Sequence, residues 1–238
     1  MKAVHFLVLL LPFAAAASEE TLDRAPINPQ DVVSLQRGAR VFVNYCLSCH
    51  SAEAMRYNRL EDLGLTEQQI RDNLMFATDK VGDTMTAAMR RRDARSWFGV
   101  APPDLSVIAR ARGADWLYTY LRTFYRDSSR ETGWNNLTFP NVGMPNVLYE
   151  LQGEQVLKPH AGGADGETEA PTLILDTPGK LSARDYDKLT TDLVNYLVFM
   201  GEPARETRIR IGYAVLIFLG ALFVPVYLLK KEYWKDVH

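Results

Sequence analysis

Two cysteines and a histidine carry the most specific chemistry in this chain. They are Cys46, Cys49 and His50, in the run Asn44-Tyr45-Cys46-Leu47-Ser48-Cys49-His50. C-x-x-C-H is the pattern of covalent c-type haem attachment. The thiols add across the two vinyl groups of one porphyrin edge and become thioethers. Two intervening residues let both sulfurs reach that edge from a short helical turn, and the next residue, a histidine, lies under the ring as an iron ligand. A bare C-x-x-C would suit a redox dithiol or half of a zinc site equally well. With only 2 Cys in 238 residues there is no second pair to complete a zinc site. A redox dithiol belongs in a βαβ setting, whereas the flanks here read as helix.

Haem iron held by histidine alone is open to small molecules. A methionine thioether on the other face makes a low-spin electron carrier with a raised potential. That ligand should come from a loop opposite His50. Met144, in Gly143-Met144-Pro145 and preceded by Asn135, Asn136, Pro140 and Asn141, is the best candidate. On loop context alone Met85 and Met89 stay open, while Met55 is too close to the attachment turn and Met200 falls on an apolar helix face. A gas sensor would leave the sixth position open. A peroxidase would need a second haem or a distal acid–base pair, but there is one C-x-x-C-H and none of His5, His160 or His238 reads as a distal base.

The elements that must position these groups read mainly as helix. Asp31 to Tyr45 carries Val32, Leu35, Ala39 and Phe42 at helical spacing, after an extended polar arm over 18–30. Gly38 in mid-helix costs about 1 kcal/mol relative to Ala, which a close helix crossing would explain. Thr66 caps a helix to Phe76 with Ile70 and Leu74 inward. Arg90-Arg91-Arg92 reads as a solvated face. Pro102-Pro103-Asp104-Leu105-Ser106 reads as a turn, with Asp104 or Ser106 as the N-cap of a helix over Ala109 to Arg126 that Gly113 splits. Residues 127–146 read as loop, and Asn146 to Leu157 as a short hairpin around Gln152-Gly153. Pro159 to Pro171 is Gly- and acid-rich. Ser182-x-x-Asp185 resembles a capping box opening a helix to Met200, with Leu189, Leu193, Tyr196, Leu197 and Met200 as its stripe and Gly201 and Pro203 at its end.

Both ends carry membrane signals. Residues 1–17 have Lys2, an apolar run from Val4 to Phe13 and four alanines, the layout of a cleaved secretory signal. Ile211 to Leu229 is uncharged, bounded by Arg208 and Arg210 before it and Lys230 and Lys231 after it. At 1.5 Å per residue it spans roughly 28 Å, close to the hydrocarbon thickness. Tyr227, Tyr233 and Trp234 suit an interfacial belt. Three basic residues flank each side, so charge does not set the orientation; the export signal does. The expected layout is signal 1–17, exported domain 18–207, transmembrane anchor 208–230 and cytoplasmic tail 231–238. Residues 18–207 hold 21 basic and 27 acidic side chains, a net of −6. That argues against nucleic acid and suits a basic soluble partner.

Taken together, these motifs resemble the cytochrome c1 family, the haem subunits of quinol–cytochrome c reductase (the cytochrome bc1 complex). The resemblance runs from about Asp31 to Trp234. It rests on Cys46-Leu47-Ser48-Cys49-His50-Ser51, Pro102-Pro103-Asp104-Leu105-Ser106, Arg110-Ala111-Arg112-Gly113, Gly143-Met144-Pro145, Asn195-Tyr196-Leu197, Gly201-Glu202-Pro203 and the single C-terminal span. Residues 152–180 do not align.

The resemblance implies a mainly α, class I-like cytochrome c domain with a small β-hairpin/loop insertion and one C-terminal transmembrane helix. It implies one covalent haem c, with His50 and Met144 as axial ligands, Arg112 on a propionate, Trp116 in a nearby aromatic position, and Pro102 and Pro103 near the haem edge. The short form fits a bacterial protein, its haem domain in the periplasm and its anchor in the inner membrane. The partners implied are cytochrome b, the Rieske iron–sulfur protein as electron donor and a soluble or membrane-bound c-type cytochrome as acceptor, in a dimeric complex. Glu150, Glu154, Asp165, Glu167 and Glu169 read equally as a dock for a basic acceptor and as a solvated acidic loop. The alternative is a free-standing membrane-anchored cytochrome c shuttle outside any b-haem complex.

Overall fold

Asp31 opens helix α1 (Val32–Val41) by accepting the Ser34 amide on its carboxylate at 3.0 Å. A computed structural model describes residues 22–158 and 171–236. The predicted signal and most of the Gly- and acid-rich stretch lie outside the described residues. The first helix does not run unchanged to Tyr45: its last turn widens into a π-helix over Phe42–Cys46. Leu35, Ala39 and Phe42 are buried as their spacing predicts, but Val32 is 43% exposed, because it stands in the first turn, outside the helix crossing.

The partner in that crossing is α7 (Ala183–Gly201), opened by Ser182, whose hydroxyl accepts the Asp185 amide at 3.2 Å. The two helices meet at Gly38. A Cβ built there would sit 2.0 Å from the backbone oxygen of Asp192 and 2.7 Å from the Cβ of Tyr196. A side chain of any size would hold the helices apart, so the glycine's cost in helix propensity is offset by close packing. Beside the crossing the buried carboxylate of Asp192 accepts from the Ser34 hydroxyl at 2.6 Å and from two guanidinium nitrogens of Arg37 at 2.5 and 2.9 Å. This charge is paired and hydrogen-bonded, the condition under which a carboxylate tolerates burial. Leu193, Val194, Tyr196, Leu197 and Met200 complete the α7 stripe, and Leu189 packs at its margin.

Between these helices the chain builds small supports. Strand β1 (Ala52–Arg56) pairs antiparallel with β2 (Thr84–Met85). Between them lie a 3-10 helix over Tyr57–Leu63 and α2 (Glu67–Leu74), where Thr66 and Gln69 form a capping box and Ile70 and Leu74 are buried. Helix α3 (Arg91–Phe98) begins in the arginine run and buries only Ala94. Helices α4 (Ile108–Arg112) and α5 (Ala114–Arg122) are separated at Gly113, whose φ of 88° is one that glycine adopts without strain.

Three expectations are corrected here. Neither Asp104 nor Ser106 caps α4. The Asp104 carboxylate accepts the amides of Ser106 and Glu53, and the Ser106 hydroxyl accepts the amide of Ala54, so this turn is tied to β1. The helix stops at Arg122 rather than Arg126, because Phe124–Arg126 forms β3 and pairs with β4 (Trp134–Asn136) inside the stretch read as loop. The hairpin is also displaced. Tyr149–Gln152 is a helical turn, α6, and the pairing is between β5 (Gly153–Leu157) and β6 (Leu173–Pro178). Strands of three to six residues give little periodic signal, and β5 reaches its partner only across residues 158–172.

Helix α8 (Arg205–Tyr233) is long and apolar enough to cross a membrane, and no residue of it is buried against the rest of the chain. An apolar helix without a protein partner is an unsatisfied surface in water and a satisfied one in lipid.

Candidate functional site

The Cys46–His50 turn follows from the end of α1. The π-turn delivers Cys46, and the amides of Cys49 and His50 then fold back onto the Cys46 carbonyl at 3.1 and 2.8 Å. Neither cysteine is in a disulfide. Burial pushes the Cys46 thiol up to about 12, and the neighbouring Cys49 adds to the rise. The thiol is therefore neutral at physiological pH in the protein alone.

His50 is buried, and its Nδ1 lies 2.8 Å from the carbonyl oxygen of Pro103. A carbonyl only accepts, so Nδ1 carries the proton and Nε2 keeps a free lone pair. Burial lowers the ring's proton affinity, more than the Pro103 carbonyl and Asp104 raise it, so the imidazole is held neutral. The Pro102–Ser106 turn thus has a definite task. Asp104 and Ser106 pin it to β1, and its Pro103 carbonyl fixes the tautomer of His50.

His50 opens onto a cleft of about 400 Å³ whose lining also includes Cys46, Pro102, Pro103, Arg112, Trp116 and Met144. Cys49, the residue before His50, is not part of this lining. Met144 comes from the loop after β4. Gly143 lets that loop approach the end of α3, since a Cβ there would meet Val100 at 3.0 Å and the Phe98 carbonyl at 3.2 Å. The other candidate methionines are elsewhere. Met85 is fully buried on β2, taking the Tyr196 hydroxyl on its sulfur at 3.6 Å, and Met89 and Met55 do not line the cleft.

Arg112 ends α4 at the cleft, with its guanidinium carbon 4.9 Å from the Trp116 ring centroid and 5.7 Å from that of Phe139. Among the described residues it makes no ion pair with a carboxylate. Trp116 stacks on Tyr120 with centroids 4.8 Å apart, and Tyr120 meets Phe124 edge-on at 5.0 Å. Sequence reasoning missed Tyr120 as a site residue. Its hydroxyl donates to the Met144 sulfur at 3.3 Å, and burial pushes its pKa well up, so it stays a donor at physiological pH. The available signal was its spacing, one helical turn after Trp116. Also missed were Phe98, Val100, Leu193 and Leu197, which close the walls. Of the acidic docking candidates, Glu150 is already paired with Lys180 at 2.6 Å and Glu154 with Arg126 at 2.5 Å. Asp165, Glu167 and Glu169 lie outside the described residues.

These residues fit a haem c. The cleft is apolar and accommodates a flat hydrophobic ring. A neutral imidazole with a free Nε2 lines it on one side, a thioether lines it too, a thiol stands at its edge and an unpaired guanidinium is available to a carboxylate.

The chain matches the sequence model of the Cytochrome C1 family over residues 23–157 and 179–237. The unmatched segment lies within the stretch that the sequence resemblance leaves aside. At 53% identity over 243 residues, the whole chain is similar to the whole of a Nitrosomonas europaea protein named ammonia monooxygenase gamma subunit. At 51% identity, 97% of the chain is similar to 96% of the cytochrome c1 of Allochromatium vinosum. At 25% identity, 90% of the chain is similar to 34% of a Bradyrhizobium diazoefficiens protein named cytochrome b/c1.

Proposed function

This chain belongs to the cytochrome c1 family, and from that premise we propose that it is the haem-bearing electron-transfer subunit of a quinol–cytochrome c reductase. It takes one electron at a time from a Rieske iron–sulfur protein and passes it to a soluble or membrane-bound c-type cytochrome. The observation that carries the reading is a single apolar cleft lined by Cys46, His50 and Met144 together.

Cys46 and Cys49 would anchor one haem c covalently, and His50 Nε2 and the Met144 sulfur would hold its iron. When bound, the group supplies a one-electron ferric/ferrous couple. The chain's own residues do the rest. Pro103 keeps the imidazole in one tautomer and orientation. Trp116, Tyr120, Leu193 and Leu197, which line the cleft, would keep water from the ring. Arg112 would neutralise a propionate at the mouth. No proton moves and no substrate binds; the protein's contribution is a fixed, dry site whose ligands set the potential.

The remaining layout belongs to the same proposal. Residues 1–17 are removed on export, 18–207 stand outside the bacterial inner membrane, 208–230 cross it and 231–238 remain in the cytoplasm. Helix α8, whose apolar stretch is not buried against the rest of the chain, would lie against cytochrome b in a dimeric complex. The name of the Bradyrhizobium relative, which joins b and c1, supports that neighbour.

The test is a pull-down from gently solubilised membranes through a C-terminal tag, followed by a reduced visible spectrum. The expected result is a c-type band accompanied by b-type bands. A c-type band alone, at full haem occupancy, would overturn the complex and leave a free membrane-anchored shuttle. Ammonia-oxidising activity in the same fraction without b-type haem would move the chain to the assembly named for the Nitrosomonas relative.

A further inference from the structure

Tyr120 is held more firmly than a wall residue requires. Its ring is stacked on Trp116, 10° from parallel, and met edge-on by Phe124. Its backbone carbonyl accepts from the side-chain amide of Asn136 at 2.8 Å, which joins α5 to β4. The hydroxyl so positioned has, among the described residues, one hydrogen-bond partner, the sulfur of Met144 at 3.3 Å. A thioether has no proton to give, so the tyrosine must be the donor. The sulfur has two lone pairs, enough for one metal bond and one hydrogen bond.

We propose that Tyr120 is a positioning residue for the haem ligand Met144, and that its hydrogen bond to the thioether raises the midpoint potential of the bound haem. The proposal rests on the axial-ligand reading above. A hydrogen bond drains electron density from the sulfur it touches. A poorer sulfur donor stabilises ferric iron less than before, while ferrous iron loses little, so the reduced form is favoured. The same bond limits rotation of the flexible Met144 side chain, whose thioether otherwise has several rotamers open to it. The effect comes from one hydroxyl, and the aromatic clamp exists without it.

The experiment is a potentiometric titration of the full-length haem protein in mild detergent, comparing wild type with Tyr120→Phe, which removes the hydroxyl and keeps the ring. Tyr118→Phe is the control, since that buried ring lies instead against the Arg122 guanidinium. The expected result is a lower midpoint for Tyr120→Phe, a several-fold and up to about tenfold shift in the reduced-to-oxidised ratio at a given potential, tenfold being about 59 mV for one electron. The red charge-transfer band of thioether-ligated ferric haem should persist, and Tyr118→Phe should titrate as wild type. An unmoved or raised midpoint with that band intact would overturn the tyrosine proposal alone. An equal drop in Tyr118→Phe would overturn it as well, as a general packing effect. A wild-type protein lacking the sulfur band would instead overturn the ligand reading and the tyrosine proposal with it.

Discussion

Gly38→Ala should cost far more than one methyl group suggests. On an exposed helix the change would stabilise by about 1 kcal/mol, because Ala is the better helix former. Here the new Cβ would stand 2.0 Å from the Asp192 backbone oxygen, 2.7 Å from its carbonyl carbon and 2.7 Å from the Tyr196 Cβ. Ordinary contacts of this kind are about 3.5 Å or longer. The obstacles are backbone and a Cβ, so no rotamer change relieves them and α1 must move from α7 by about 1–1.5 Å, given contact distances of that size. Overpacking costs about 1–3 kcal/mol and sometimes more. A backbone clash belongs at the top of that range, leaving a net loss of about 2 kcal/mol or more after the propensity gain. For a chain of this size that is a fall of at least about 4–8 °C in Tm. Thermal unfolding of the haem-loaded protein in detergent, followed by circular dichroism, measures it. The displacement should also reach the cleft, because Leu193 and Leu197 on α7 line it. An unchanged or higher Tm for Gly38→Ala would refute the argument that this glycine exists to permit the crossing.

The other predictions are as follows. Asp192→Ala removes the acceptor for Ser34 and for both Arg37 bonds. With the Arg37 side chain 37% exposed and so partly solvated, the expected destabilisation is about 2–3 kcal/mol, below the range for a fully buried pair, read by urea unfolding. Met144→Ala should leave the fold intact, remove the red charge-transfer band and let the ferrous protein bind carbon monoxide; a ferrous protein that still excluded carbon monoxide would point to another sixth ligand. A stop after Ala204 should release the protein into the soluble exported fraction with its haem spectrum unchanged, since α8 buries nothing against the rest of the chain; retention in the membrane would show a second attachment.

Much of this protein is readable without coordinates, for reasons particular to each segment. Thr66 and Ser182 announce α2 and α7 because capping is local: the hydroxyl and the amide it receives are three residues apart. The α7 stripe is legible because one long helix buries one continuous face, Leu193 to Met200. The split at Gly113 is legible because few other residues adopt its φ. The short strands were not. Phe124–Arg126 reads as the tail of a helix until Trp134–Asn136 is beside it, and β5 finds its partner in β6, across the segment 158–172. Asp104 and Ser106 have the right residue types for helix caps, and only the position of β1 shows that they bind its amides.

The sequence by itself supplied the C-x-x-C-H motif and a stretch apolar enough to cross a membrane. C-x-x-C-H is a contiguous motif whose geometry lies within one turn, and a span is a property of 19 consecutive uncharged residues. The tertiary structure decided which methionine shares the cleft with His50, why Gly38 is a glycine, and that Tyr120 donates to Met144. Those are contacts between segments separated by 24 to more than 150 residues. Nothing local in the chain encodes such a distance; the packing of α1 against α7 and the folding back of the Met144 loop create it.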